Sequence, residues 1–100
     1  QEVAERAGFS VVRDLVGHGV GNAVHEEPQV PNFWDQHQID TELLDGHVIA
    51  IEPMVAAGGW RVTVDTADGW TIRTHDHSLA AHFEHTVLIT RKGTEVLTRM

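Results

Sequence analysis

The stretch Val48-Ile49-Ala50-Ile51-Glu52-Pro53-Met54 decides how this chain is read. It is rich in β-branched residues and reads as a strand, with Val48, Ala50 and Glu52 on one face and Ile49 and Ile51 on the other. Glu52 therefore shares an apolar face, where a carboxylate is costly unless it is paired or bound to metal. Pro53 lacks an amide hydrogen, so it marks an edge strand or the end of the ladder. Upstream, Asp45-Gly46 is a turn signal.

Working outward, Phe83 to Arg91, Lys92-Gly93 and Thr94 to Thr98 read as a hairpin at the C-terminal end. On its first strand His82, Glu84 and Thr86 share one face and Phe83, His85 and Val87 the other. A half-solvated strand with a polar outer face fits this pattern as well as a ligand-bearing one. Trp60 to Asp65 and Trp70 to Thr74 flank Thr66-Ala67-Asp68-Gly69 as a second hairpin, with Trp60 and Trp70 expected as a cross-strand pair. Ser78 to Ala81 reads as a short helix. Toward the start, Glu2 to Ala7 are good helix formers without an N-cap residue, closed by Gly8. The chain is thus expected to open inside a helix that has been cut.

Between these lie two histidine phrases. Gly17-His18-Gly19-Val20-Gly21 reads as a glycine-rich turn in which a ligand can approach closely, although a histidine between glycines is most often a plain turn residue. Residues 22–38 hold two of the three prolines and read as a loop carrying His25. His25-Glu26 begins like the zincin pattern, but Gln29 stands where the second histidine belongs and Pro28 would break the helix. Glu26-Glu27 is a weak glycosidase-like pair, because adjacent side chains point apart. His75-Asp76-His77 reads as a solvated connection, and His37 and His47 as partnerless.

Composition bounds the function. The chain has 100 residues, enough for one domain with a modest core. Fifteen acidic against seven basic residues give a net charge of −8, which argues against phosphate-backbone binding and a polybasic membrane patch. No apolar run approaches bilayer length and no signal-peptide layout opens the chain. The absence of cysteine excludes disulfides and thiolate metal sites. Cytoplasm fits, with no nucleic acid and no membrane as partner.

Taken in order, Gly8-Phe9-Ser10-Val11-Val12-Arg13-Asp14, Gly17-His18-Gly19-Val20-Gly21, His25-Glu26-Glu27-Pro28-Gln29-Val30, Ile51-Glu52-Pro53-Met54-Val55, Asp68-Gly69-Trp70-Thr71 and Ser78 to Thr86 closely resemble type I methionine aminopeptidases. These belong to the pita-bread metallopeptidase family, and the likeness is to their C-terminal half. The resemblance implies an α+β fold, mostly antiparallel sheet with one or two helices, and a single partial domain over residues 1–100. It implies removal of initiator methionine from nascent polypeptides with two divalent metal ions (Mn, Fe, Co or Zn). His18, Glu52 and Glu84 would be metal ligands, with Glu84 bridging, and Glu52 the general base. His25 would hydrogen-bond the scissile peptide, and Trp70 and Phe33 would lie near the methionine pocket.

The chain departs from that pattern in two ways. The family's two aspartate ligands and a further substrate-binding histidine fall in an N-terminal half that is missing. None of Asp35, Asp40, Asp45, Asp65, Asp68 and Asp76 sits in a matching phrase. His82 stands where many members carry glutamine. Metal binding is therefore expected to be weakened and the chain alone inactive. Two alternatives remain: a non-catalytic half-domain that docks with a separate N-terminal half, and an Xaa-Pro metallopeptidase of the same fold.

Overall fold

A computed structural model describes residues 1–38 and 40–100. One short helix, α1 (Glu2–Arg6), precedes ten strands, which are β1 (Ser10–Val11), β2 (Gly17–Gly19), β3 (Glu26–Val30), β4 (Val48–Ile51), β5 (Met54–Ala56), β6 (Val62–Val64), β7 (Ile72–Thr74), β8 (Ala80–His82), β9 (His85–Thr90) and β10 (Gly93–Val96). They form an antiparallel five-stranded sheet in the order β10-β9-β4-β2-β3, an antiparallel three-stranded sheet β1-β5-β8, and the hairpin β6-β7. No helix among the described residues is long and apolar enough to cross a membrane.

The two larger sheets share two continuous stretches of backbone. β4 pairs with β9 in the larger one, with Val48 opposite Leu88 and Ile51 opposite His85. Two residues further on, β5 pairs with β8 in the smaller one, with Met54 opposite His82 and Ala56 opposite Ala80. The register is the same in both halves. They are one long antiparallel pair interrupted at Glu52-Pro53 and Phe83-Glu84, where the Phe83 amide donates to the Pro53 carbonyl at 3.2 Å. The continuous strand expected over residues 48–54 is thus broken at Pro53, which has no amide hydrogen to donate to the ladder.

Several other expectations are corrected. Gly17 to Gly19 is a strand rather than a turn. Its glycines serve close packing: a Cβ at Gly17 would collide with the Ala50 carbonyl oxygen, and one at Gly19 with that of Glu27. Within the expected loop 22–38 lies β3, which tolerates Pro28 because it is the edge strand. Ser78 to Ala81 is no helix, since Ala80 and Ala81 pair with β5 and tertiary pairing overrides their propensity. Only one helix is present among the described residues. Trp60 and Trp70 do not pair, because the β6-β7 register sets Val62 opposite Thr74. Trp60 instead lies beneath Arg13 and Arg61, 4.6 and 5.1 Å from ring centroid to guanidinium carbon, and Trp70 is exposed. His47 has a partner after all, its Nδ1 accepting from the Leu44 amide at 3.1 Å.

The buried apolar residues are Val11, Val12, Ile49, Ala50, Ala56 and Val87. Ile49, Ala50 and Val87 lie on β4 and β9, Ala56 on β5, and Val11 and Val12 on and just after the edge strand β1, whereas Phe83 and Glu84 at the interruption are exposed. Elsewhere, Asp76 joins two loops: its Oδ2 accepts from the Gly59 amide at 2.7 Å and its Oδ1 from the Ser78 amide at 3.1 Å. The His75-Asp76-His77 phrase is therefore a fastener as well as a connection.

Candidate metal centre

Extending the shared register across the interruption sets Glu52 opposite Glu84. Both side chains leave the backbone where it passes from one sheet to the other, and both follow the face that carries Ala50 and Thr86, which are themselves opposite partners. His18 on β2 is opposite Ala50 from the other side. Ala50 is a small residue and leaves room over itself for the imidazole. One ligand atom each from His18, Glu52 and Glu84 lie within 4.8 Å of one another.

The backbone of β2 aims His18. A register shift between His18 and Gly19 interrupts pairing with β3, and the Nδ1 of His18 lies 2.9 Å from the Gly19 carbonyl oxygen. A carbonyl only accepts, so Nδ1 carries the hydrogen and donates it. Nε2 then faces Glu52 Oε1 at 3.0 Å. A bare ring nitrogen and a carboxylate oxygen at that separation repel unless a proton or a metal ion lies between them. Both side chains are largely shielded, at 12% and 13% exposure, which strengthens the electrostatic demand. Two carboxylates in cross-strand register add to it, because like charges facing each other across a ladder destabilise it. The chemistry of the donor set, one imidazole nitrogen and two carboxylates around one small volume, fits a divalent metal cation.

Around this group, the His25 ring stacks obliquely on His18 with centroids 4.0 Å apart, and His25 is exposed. His82 Nε2 lies 3.2 Å from Glu52 Oε2. Asn32 Nδ2 reaches the Glu52 carbonyl at 3.5 Å. The contact between His82 and Glu52 was not read from the sequence, although their strands' common face was the signal that could have found it. The structure does not join Phe33 or Trp70 to the three-residue group. Phe33 lies under Arg13 with 5.4 Å from centroid to guanidinium carbon, and Trp70 projects from the β6-β7 connection at 84% exposure. None of the six aspartates considered as substitutes belongs to the group.

The model of metallopeptidase family M24 matches residues 1–91. The chain is 54% identical over 99 residues to a methionine aminopeptidase of Clostridium perfringens, covering 98% of this chain and 39% of that protein. It is 52% identical over 100 residues to one of Aquifex aeolicus, covering 99% of this chain and 38% of the relative. Among solved structures, a methionine aminopeptidase from Thermotoga maritima superposes with a TM-score of 0.90 at 53% identity, over 100% of this chain and 39% of that one. One from Rickettsia prowazekii gives 0.92 at 39% identity, over 99% and 40%. The chain thus spans about two fifths of the length of these proteins.

Proposed function

Because the chain belongs to metallopeptidase family M24, we propose that residues 1–100 are a partial catalytic domain of a methionine aminopeptidase. When the domain is complete, it removes initiator methionine from nascent polypeptides in the cytoplasm. The observation that carries this reading is the convergence of His18, Glu52 and Glu84 at the strand interruption. His18 offers Nε2 because Nδ1 is committed to Gly19. Glu84 and Glu52 would hold the metal with His18, and Glu52 would also serve as the general base. Two divalent ions bound there would supply a hydroxide near neutral pH and polarise the scissile carbonyl. His25, exposed beside His18, donates a hydrogen bond to that carbonyl. Trp70 and Phe33 line the methionine side of the substrate path.

Three ligands leave the pair of ions underdetermined, so the 100-residue chain binds metal weakly and does not turn over. The test is release of methionine from a Met-Ala-Ser peptide with Mn or Co, by this chain alone and by this chain mixed with the remaining three fifths of the Thermotoga relative. Activity only in the mixture is the expected result. Turnover by the isolated chain would refute its inactivity, and silence of a mixture that does assemble would refute the peptidase reading.

A second reading, a half-domain whose role is to dock with the rest of the fold, is favoured by one observation. The Ile51 and Phe83 face of the sheet is an open, mostly apolar groove of about 520 Å³ lined by Leu43, Ile51, Phe83, Val87, Ile89 and Val96, with Glu84 and His85 at its edge. Light scattering of the mixture, run beside the methionine-release assay, distinguishes assembly without activity from assembly with it. The Xaa-Pro alternative has no support in the named relatives, which are methionine aminopeptidases.

A further inference from the structure

Glu52 has two oxygens, and the fold gives them different neighbours. Oε1 faces His18 Nε2 at 3.0 Å, and Oε2 faces His82 Nε2 at 3.2 Å. His82 ends β8 opposite Met54, so it is the diagonal cross-strand neighbour of Glu52, within reach of a long side chain. A carboxylate accepts only, so this approach is favourable when the His82 Nε2 carries the ring hydrogen and turns it toward Oε2. The terminal torsion of a glutamate is broad and roughly two-fold, and without such a bond the carboxylate plane is free to turn. Packing does not explain the imidazole, whose side chain is 46% exposed. The Asn32 amide, the other polar contact to this residue, holds only the Glu52 backbone carbonyl.

We propose that His82 is a positioning residue which, by donating Nε2–H to Glu52 Oε2, fixes the carboxylate plane so that Glu52 presents the single oxygen Oε1 to a cation shared with His18 and Glu84. The inference deepens the metal reading above and rests on it. Hydrogen bonds to ligating carboxylates orient them, and their loss commonly costs ten- to a hundredfold in metal affinity. A glutamine amide also donates from a flexible side chain, so His82→Gln is the conservative replacement and His82→Ala the deletion.

Two measurements on the full chain test this. In the metal-free protein, long-range proton–nitrogen NMR of 15N-histidine-labelled chain, with the His82 signals assigned from their loss in His82→Gln, should show a protonated Nε2 at His82. A bare Nε2 would overturn the proposal without reference to any metal. In calorimetric titration with Mn and visible spectroscopy with Co, His82→Ala is expected to bind about tenfold more weakly with an altered Co spectrum, and His82→Gln to recover affinity and spectrum. Equal binding by parent and His82→Ala would overturn the proposal. So would equal losses in both variants, which would make the imidazole itself a ligand. If the parent takes up no metal, the metal reading fails, and the nitrogen spectrum alone still decides whether His82 holds Glu52. Unfolding midpoints of both variants should match the parent's, because an exposed strand-end side chain contributes little packing.

Discussion

Replacing Glu84 by glutamine is expected to have two opposite effects. It removes a proposed ligand, so calorimetric binding of Mn or Co should fall below detection. It also removes one of two like charges in cross-strand register, so the metal-free chain should become more stable by about 0.2–1 kcal/mol in urea unfolding. A loss of metal-free stability would show that the two carboxylates do not face each other as the register requires. Glycines at the same scale separate by cause. Gly17→Ala drives a methyl into the Ala50 carbonyl in the middle of the five-stranded sheet and is expected to cost about 1–3 kcal/mol. Gly46→Ala meets nothing within 4 Å, and only its φ of +91° penalises a side chain, so the cost should stay near 1 kcal/mol. Paired denaturation curves check the contrast.

At the scale of elements, the loop around Gly59 is tied to the β7-β8 connection by Asp76, and that tie should be acid-sensitive. The Gly59 amide first, with the Ser78 amide also donating, holds the Asp76 carboxyl at about 2, below its ordinary 3.8. A depressed carboxylate contributes stability that is complete above its unfolded value and is lost as pH falls through its folded one. Protection of the Gly59 amide against hydrogen exchange, taken relative to its intrinsic rate at each pH, should therefore fall between about pH 4 and pH 2, and Asp76→Asn should abolish that fall. The same scale shows where the sequence could be read and where it could not. Both hairpins, the first helix and the alternation placing Ala50 with Glu52 and His82 with Glu84 follow from local periodicity, which is short-ranged and survives folding. The strand character of Gly17 to Gly19, of Glu26 to Val30 and of Ala80 to His82 does not, because partners far along the chain impose it. Local signals for turn, loop and helix there were overridden by pairing with β4, β2 and β5. At the candidate site, periodicity gave the faces, but the meeting of three side chains depended on the continuous register through the interruption, which becomes visible only when β4 and β9 are aligned.

The whole molecule has a thin core. Among the described residues, the buried apolar set consists of small and medium side chains, while Phe83, Trp34, Leu79 and Trp70 stand at 73–85% exposure. Low intrinsic stability is the expected consequence, and anything that binds only the folded chain should add to it. Free Mn at a hundred times its dissociation constant should raise unfolding stability by about 2.7 kcal/mol in the parent and leave Glu84→Gln unchanged, read by urea titration with and without the ion. The open groove should likewise bind a hydrophobic dye, and Phe83→Ser should reduce that binding without lowering stability. The interruption at Glu52-Pro53 and Phe83-Glu84 has a mechanical meaning too. By the shared register Glu52 and Glu84 both stand on the larger sheet's side of it, one on each strand, while His82 stands on the smaller sheet's side. An ion held by Glu52 and Glu84 would therefore staple two strands to each other, and the His82 contact to Glu52 at 3.2 Å would join that staple to the smaller sheet.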